Sequence, residues 1–260
     1  MPSFKSAWRT ARGARPYQED SVALFPGPSP IEAGLASAGR DCDLVTALAD
    51  GMGGHAGGAA ASRTVCMEFL AAFAAGDEAV PVRLGAGLDA ANAAIERAVR
   101  AEPAMSGMGS TLIGAAFGAS GLQWVSVGDS PLYLLRHGEI ALLNEDHSLA
   151  PALDLMAATG KITVEQARSD PRRHMLRSAV TGDELDLVDL SKKPLALATG
   201  DVVLLASDGI HTLEESEILR VAAGYASDGP EAIADALLRA VEAARSPFQD
   251  NISVIVVAVE

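Results

Sequence analysis

Cysteine is scarce: Cys42 and Cys66 are the only two in a chain of 260 residues. That excludes a disulfide framework and fits a reducing compartment. Basic residues are also short, 20 Lys and Arg against 34 Asp and Glu, for a net charge of −14. Nucleic acid and anionic membrane surfaces select basic faces, so neither is an expected partner. No apolar run reaches the ~18 residues of a membrane span. Residues 1–20 hold no hydrophobic stretch of the secretory-signal kind. The expected setting is cytoplasmic, without membrane insertion. Histidine and cysteine do not cluster, which disfavours zinc of the thiolate type. Neither a repeat nor an interdomain linker is visible, so residues 1–260 are expected to form one domain.

What the chain has is apolar residues, 49% of the total, enough for a large core. Strand-like runs occur at 21–25, 43–50, 110–117, 122–128, 131–136, 139–144, 185–190, 201–207 and 251–260. Helical periodicity covers 57–75, 81–103, 214–226 and 230–246, with Leu84, Leu88, Ala91 and Ile95 on one face of the second. The stretch 148–182 has weak periodicity and mixed charge and reads as a mobile helical excursion. The order is strands, two helices, strands, two helices, strand. That is not the alternation of a doubly wound parallel sheet. It fits an α+β fold of two packed antiparallel sheets covered by helices.

Acidic residues stand where apolar strands begin or end. Glu19 and Asp20 precede 21–25, Asp50 ends "LVTALAD", Asp129 sits in "VGDSP", Asp208 ends "VVLLASD" and Asp250 precedes the last strand. One Asp-Gly is ordinary turn chemistry. Several carboxylates against apolar strands are costly to desolvate singly, and a shared divalent cation relieves that cost. Oxygen donors suit Mg²⁺ or Mn²⁺. Asp50 is followed by five glycines within residues 51–58. These permit a sharp turn and close approach of ions.

The segments "RPYQEDSV", "LADGMGGHAGGAAAS", "MGSTLIGAAF", "SVGDSPLYLLRHGEI", "DHSL", "LLASDGI" and "DNISVIVV" together resemble the metal-dependent Ser/Thr protein phosphatases of the PP2C (PPM) family, in its bacterial free-standing form. The resemblance spans almost the whole chain. It implies a four-layer α-β-β-α sandwich, with a flap at about 148–182. It implies two Mn²⁺ or Mg²⁺ ions and, in some members, a third. By this resemblance Asp50 bridges two ions, the Gly51 carbonyl and Glu19 join them, and Asp208 and Asp250 hold the first. Asp20 corresponds to an acceptor for metal-bound water, and Asp129 to the carboxylate of the third site. Arg15 takes the place of the phosphate-binding arginine. Water activated by the ion pair attacks phosphorus in line, so no protein nucleophile is required.

The sequence departs from the pattern at several points. Met52 stands where many members carry histidine, and methionine cannot donate a proton. His55, three residues on, is the remaining histidine of the loop, as proton donor or as support behind it. Gln18 and Pro131 replace the more usual Asn and Arg. Arg172, Arg173 and His174 read as a solvated basic run that could also attract a phosphopeptide. The implied partners are phosphorylated proteins and a cognate Ser/Thr kinase, with the protein itself a monomer. Two rival readings remain. "GMGGHA" fits a dinucleotide-binding glycine pattern, although Asp50 would sit beside the pyrophosphate. A catalytically silent phosphoprotein-binding member is the other, and the intact acidic set opposes it.

Overall fold

The computed structural model describes residues 2–30, 35, 37–54 and 56–260. In chain order its elements are β1 (Phe4–Ala11), β2 (Ser21–Phe25), β3 (Leu44–Ala49), β4 (Gly51–Met52), α1 (Ala56–Ala75), α2 (Val80–Ala101), β5 (Gly109–Ser110), β6 (Leu112–Gly118), β7 (Gly121–Val127), β8 (Leu132–Arg136), β9 (Glu139–Leu142), α3 (Ala150–Ala158), α4 (Val164–Ser169), β10 (Asp189–Leu190), β11 (Val202–Ala206), α5 (Glu215–Gly224), α6 (Pro230–Ala243) and β12 (Ile252–Val259).

Two five-stranded sheets face each other. One runs β1-β12-β11-β8-β9 and the other β10-β7-β6-β3-β2, while β4 and β5 form a separate short ribbon. The ladders within both sheets are antiparallel. Burial on both faces explains why the strands read as unbroken apolar runs rather than alternating ones. In β12, Ile255 and Val257 face the opposite sheet, among Val22, Leu48 and Ile113. Ile252, Val254 and Val256 pack instead with Ile218 of α5 and Leu237 of α6. On the other side, Val45, Ala47 and Ala49 of β3 pack with Phe69 of α1 and Leu84 of α2. The result is the expected four-layer α-β-β-α sandwich.

Helix α2 carries Leu84, Leu88, Ala91 and Ile95 on its buried face, as their spacing predicts. It also buries Arg83 completely. The Arg83 guanidinium donates to the carbonyls of Phe73 at 2.9 Å, Arg40 at 2.7 Å and Ala38 at 2.5 Å. It also lies 3.9 Å from the centre of the Phe73 ring. A buried cation is tolerable only when its donors are met in this way.

The structure corrects several expectations. Residues 4–11 form an edge strand that the apolar pattern does not predict, because Lys5, Ser6 and Arg9 interrupt it. The expected strand 185–190 pairs only at Asp189–Leu190. The excursion at 148–182 contains α3 and α4, the latter opened by a capping box between Thr163 and Gln166. It is tied back by bridges Ser148 to Leu176 and Ser110 to Val180. Helices α1 and α2 follow β3 in succession, and β3 lies antiparallel to both β2 and β6. Among the described residues no parallel βαβ crossover surrounds this glycine loop, so the dinucleotide reading loses its structural basis.

Candidate functional site

The ends of the central strands open into a cavity of about 780 Å³ lined by Arg15, Glu19, Asp50, Gly51, Asp129, Asp208 and Asp250. Each acid reaches it by a local device. Asp50 leaves β3 with its backbone fixed on both sides. Its N–H donates to Thr111 Oγ1 at 2.9 Å, and its carbonyl accepts from Thr111 N at 2.9 Å and from Ser110 Oγ at 2.8 Å. The chain then turns through Gly53 and Gly54, both with positive φ (118° and 71°), before α1 begins. A side chain at Gly51 would strike the carbonyls of Gly58 and Glu19, and a Cβ at Gly58 would lie 2.5 Å from Glu19 Oε1. Those glycines let strand end, helix start and carboxylate share one small volume.

Glu19 is held through its backbone. Its N–H donates to Asn251 Oδ1 at 2.7 Å, and its carbonyl accepts from Ser62 Oγ at 2.5 Å and Gly51 N at 3.2 Å. Asp20 lies behind the cavity rather than on it, 8% exposed, with Oδ2 accepting from Ser207 Oγ at 2.8 Å. Asp208 starts a short 3-10 turn directly after β11. Asp250 accepts from Arg15 Nη2 at 2.5 Å. Asp129 sits in the β7–β8 turn, which His147 supports: its Nδ1 accepts from Gly128 N at 3.2 Å. Met52 lines the cavity; His55 lies outside the described residues.

Crowded acids in a desolvated place resist ionisation. Burial, then the charges of Asp20 and Asp208, push the Asp50 carboxyl well above the usual range. Burial, then Asp250, raises Asp208. Burial pushes Asp20 up to about 7, against the hydroxyl of Ser207. Burial, then Asp208 and Asp146, pushes Asp129 up to about 7.

Among the described residues, the buried oxygens Glu19 Oε1, Asp20 Oδ1 and Asp208 Oδ1 have no hydrogen-bond partner. Orphaned carboxylate oxygens of Glu19 and Asp208 on one cavity, with Asp20 Oδ1 buried behind it, are the chemistry a hard divalent cation satisfies. Among the described residues no three His, Cys, Asp or Glu side chains already close into a cage for one ion. Mg²⁺-like ions keep several waters and take few direct carboxylates, so their binding does not require such a cage. The donor set fits the implied pair of ions.

Residues 174–179 of the excursion line the cavity too, with only one of the three residues of the basic run, His174, among them. Arg172 is paired with Asp170 at 2.8 Å and Arg173 with Asp154 at 2.8 Å, and neither lines the cavity. His174 and Arg177 do. Arg177 carried no sequence signal, since its place depends on the Arg177 N–H bond to the His147 carbonyl at 2.8 Å.

Comparison with known proteins points in one direction. The family model "Protein phosphatase 2C" matches residues 33–239, a span that includes Asp50, Asp129 and Asp208. The chain is 37% identical over 216 residues to the serine/threonine protein phosphatase PstP of Mycobacterium tuberculosis, covering 81% of this chain but only 39% of that protein. It is 32% identical over 225 residues to the serine/threonine phosphatase stp of Listeria monocytogenes, covering 82% of each. The crystal structure of the PstP catalytic domain in complex with two manganese ions superposes with a TM-score of 0.74 at 31% identity, over 100% of this chain and 99% of that one.

Proposed function

The chain belongs to the protein phosphatase 2C family, and on that premise we propose that it hydrolyses phosphoserine and phosphothreonine in proteins with the help of two Mn²⁺ or Mg²⁺ ions. The observation that carries the reading is the pair of partnerless buried carboxylate oxygens, on Glu19 and Asp208, in one cavity that also holds Arg15, with that of Asp20 buried behind it. Asp50, Glu19, Asp208, Asp250 and the Gly51 carbonyl would hold the ions, with Asp129 reserved for a third. When bound, such ions supply Lewis-acid activation of water and neutralise charge at the phosphoryl group. Arg15 contributes a planar fork suited to phosphate oxygens. Asp20, anchored by Ser207, would accept from water held by the ions. The sheet ends fix these groups before substrate arrives, so little reorganisation is needed during the reaction. The protein acts as a cytoplasmic monomer on phosphorylated proteins and reverses a cognate Ser/Thr kinase. Among the described residues no helix is long and apolar enough to cross a membrane.

Purified protein should hydrolyse p-nitrophenyl phosphate and phosphothreonine peptides with Mn²⁺ or Mg²⁺ and lose that activity in EDTA. Asp50→Asn should lower kcat about 10²–10³-fold. Absence of metal-dependent turnover in the wild type overturns the phosphatase reading. Undiminished turnover in Asp50→Asn overturns only the assignment of Asp50.

A further inference from the structure

The catalytic cavity does not end at the metal-site acids. Its far wall is the segment after the flap, where Asp183, Glu184 and Asp186 are exposed. A second cavity of about 380 Å³ adjoins it, sharing Thr181 and Asp183, with Val99 of α2 and Met108 among its lining. The groove's own charges, Glu96 and Arg100, cancel in an ion pair of 2.5 Å. Asp183 therefore stands at the seam between the two cavities.

This seam is built to stay in place. Gly182 N donates to Asn92 Oδ1 at 2.9 Å, and the Asp183 carbonyl accepts from Asn92 Nδ2 at 2.8 Å. One helix side chain thus grips the turn from both directions. Gly182 has a φ of +89°, and a Cβ there would lie 2.7 Å from the Glu96 backbone. The turn sits tight on α2, and among the described residues the exposed Asp183 carboxylate accepts only a long hydrogen bond from Thr181 Oγ1, at 3.5 Å. Among the described residues no Lys, Arg or His lies within ion-pair distance of Asp183, Glu184 or Asp186. Among the described residues of this stretch that line the cavity, the basic ones are His174 and Arg177.

Resting on the phosphatase reading, we infer that Asp183 is a specificity-determining residue: it selects phosphoproteins that carry Arg or Lys within a few residues of the phosphorylated side chain. An extended chain advances about 3.3 Å per residue. A cavity of 780 Å³ is therefore spanned by roughly two or three residues. With the phosphoryl group at the metal-site end, the flanking residues pass the Asp183 wall and enter the second groove. A basic flank meets unpaired negative charge there, and an acidic flank is repelled.

The test compares two phosphothreonine peptides that differ only in Arg or Glu flanks, assayed with Mn²⁺, alongside p-nitrophenyl phosphate. The wild type should favour the basic peptide in kcat/KM by roughly three- to tenfold, the scale of one or a few partly exposed charge pairs. That ratio should shrink between 50 and 500 mM salt. Asp183→Asn should bring it close to one, whereas Glu139→Gln, the same charge change on exposed strand β9, should leave it unchanged. Equal turnover of the two peptides by a wild type that hydrolyses p-nitrophenyl phosphate overturns this inference alone. A ratio that survives in Asp183→Asn does the same. Lack of metal-dependent turnover of p-nitrophenyl phosphate overturns the phosphatase reading, and this inference with it.

Discussion

Arg15 and Asp250 are joined by an ion pair of 2.5 Å, although the family resemblance gives them separate duties, one toward phosphate and one toward metal. Both side chains are partly exposed, at 54% and 35%. The pair is therefore weak enough to exchange partners. Asp250 also accepts from its neighbour Asn251 N at 2.8 Å, so it keeps a fixed orientation when Arg15 leaves.

Removal of Arg15 should then separate two effects. Arg15→Ala loses a charge-assisted contact to phosphate, worth about 1.5–3 kcal/mol, and should raise KM for a phosphopeptide roughly 10- to 100-fold. It also frees Asp250, so the Mn²⁺ concentration for half-maximal activity should fall or stay level. Steady-state kinetics over a Mn²⁺ titration checks both. An unchanged KM removes Arg15 from phosphate binding.

The acids also predict how stability follows pH. Asp20 and Asp129 have pKa values of about 7 in the folded protein against an ordinary 3.8. An acid whose folded pKa is raised favours folding fully below its unfolded value and loses that contribution as pH climbs through the folded one. Metal-free protein should therefore lose Tm between about pH 4 and 7. Asp129→Asn should flatten that slope. Mn²⁺ competes with the protons, so its binding should release them and its apparent affinity should weaken from pH 8 to 6. Thermal scans in EDTA and in Mn²⁺, with calorimetry in buffers of different ionisation heat, measure these effects. A Tm in EDTA that climbs across the same window contradicts the assignment.

Much of this site was legible because its acids stand at strand ends. Asp50 and Asp208 each close an apolar run and precede glycine, a pattern visible in one dimension. The two-sheet architecture was legible for a related reason: double-sided burial makes β11 and β12 nearly pure Val, Ile, Leu and Ala. What stayed hidden depends on partners far along the chain. Strand β1 is partly exposed at an edge and owes its existence to pairing with β12. Arg83 reads as an ordinary polar helix residue until the carbonyls of Ala38 and Arg40 close over it. The basic run at 172–174 reads as a solvated surface that could also attract a phosphopeptide, and two of its three members are paired with Asp170 and Asp154.

Asn251 gives the sharpest case of a residue that works through others. It is 5% exposed, and its amide Nδ2 donates to the carbonyls of Arg12 and Tyr17, each at 2.9 Å. Its Oδ1 accepts from Glu19 N at 2.7 Å. One side chain from the start of β12 thereby fixes the loop that carries both Arg15 and Glu19. Asn251→Ala strands those buried groups and should cost about 2–4 kcal/mol, or roughly 5–15 °C in Tm. Lost stability alone would not establish positioning, so the comparison is with Leu237→Ala, a core truncation in α6 of similar cost. At a temperature where both variants are folded, only Asn251→Ala should need more Mn²⁺ for half-maximal activity, because only it releases Glu19. Asn251→Asp keeps the acceptor for Glu19 N and should retain more Mn²⁺ affinity than Asn251→Ala. If Leu237→Ala and Asn251→Ala shift the Mn²⁺ requirement equally, Asn251 stabilises the fold and does not position the site.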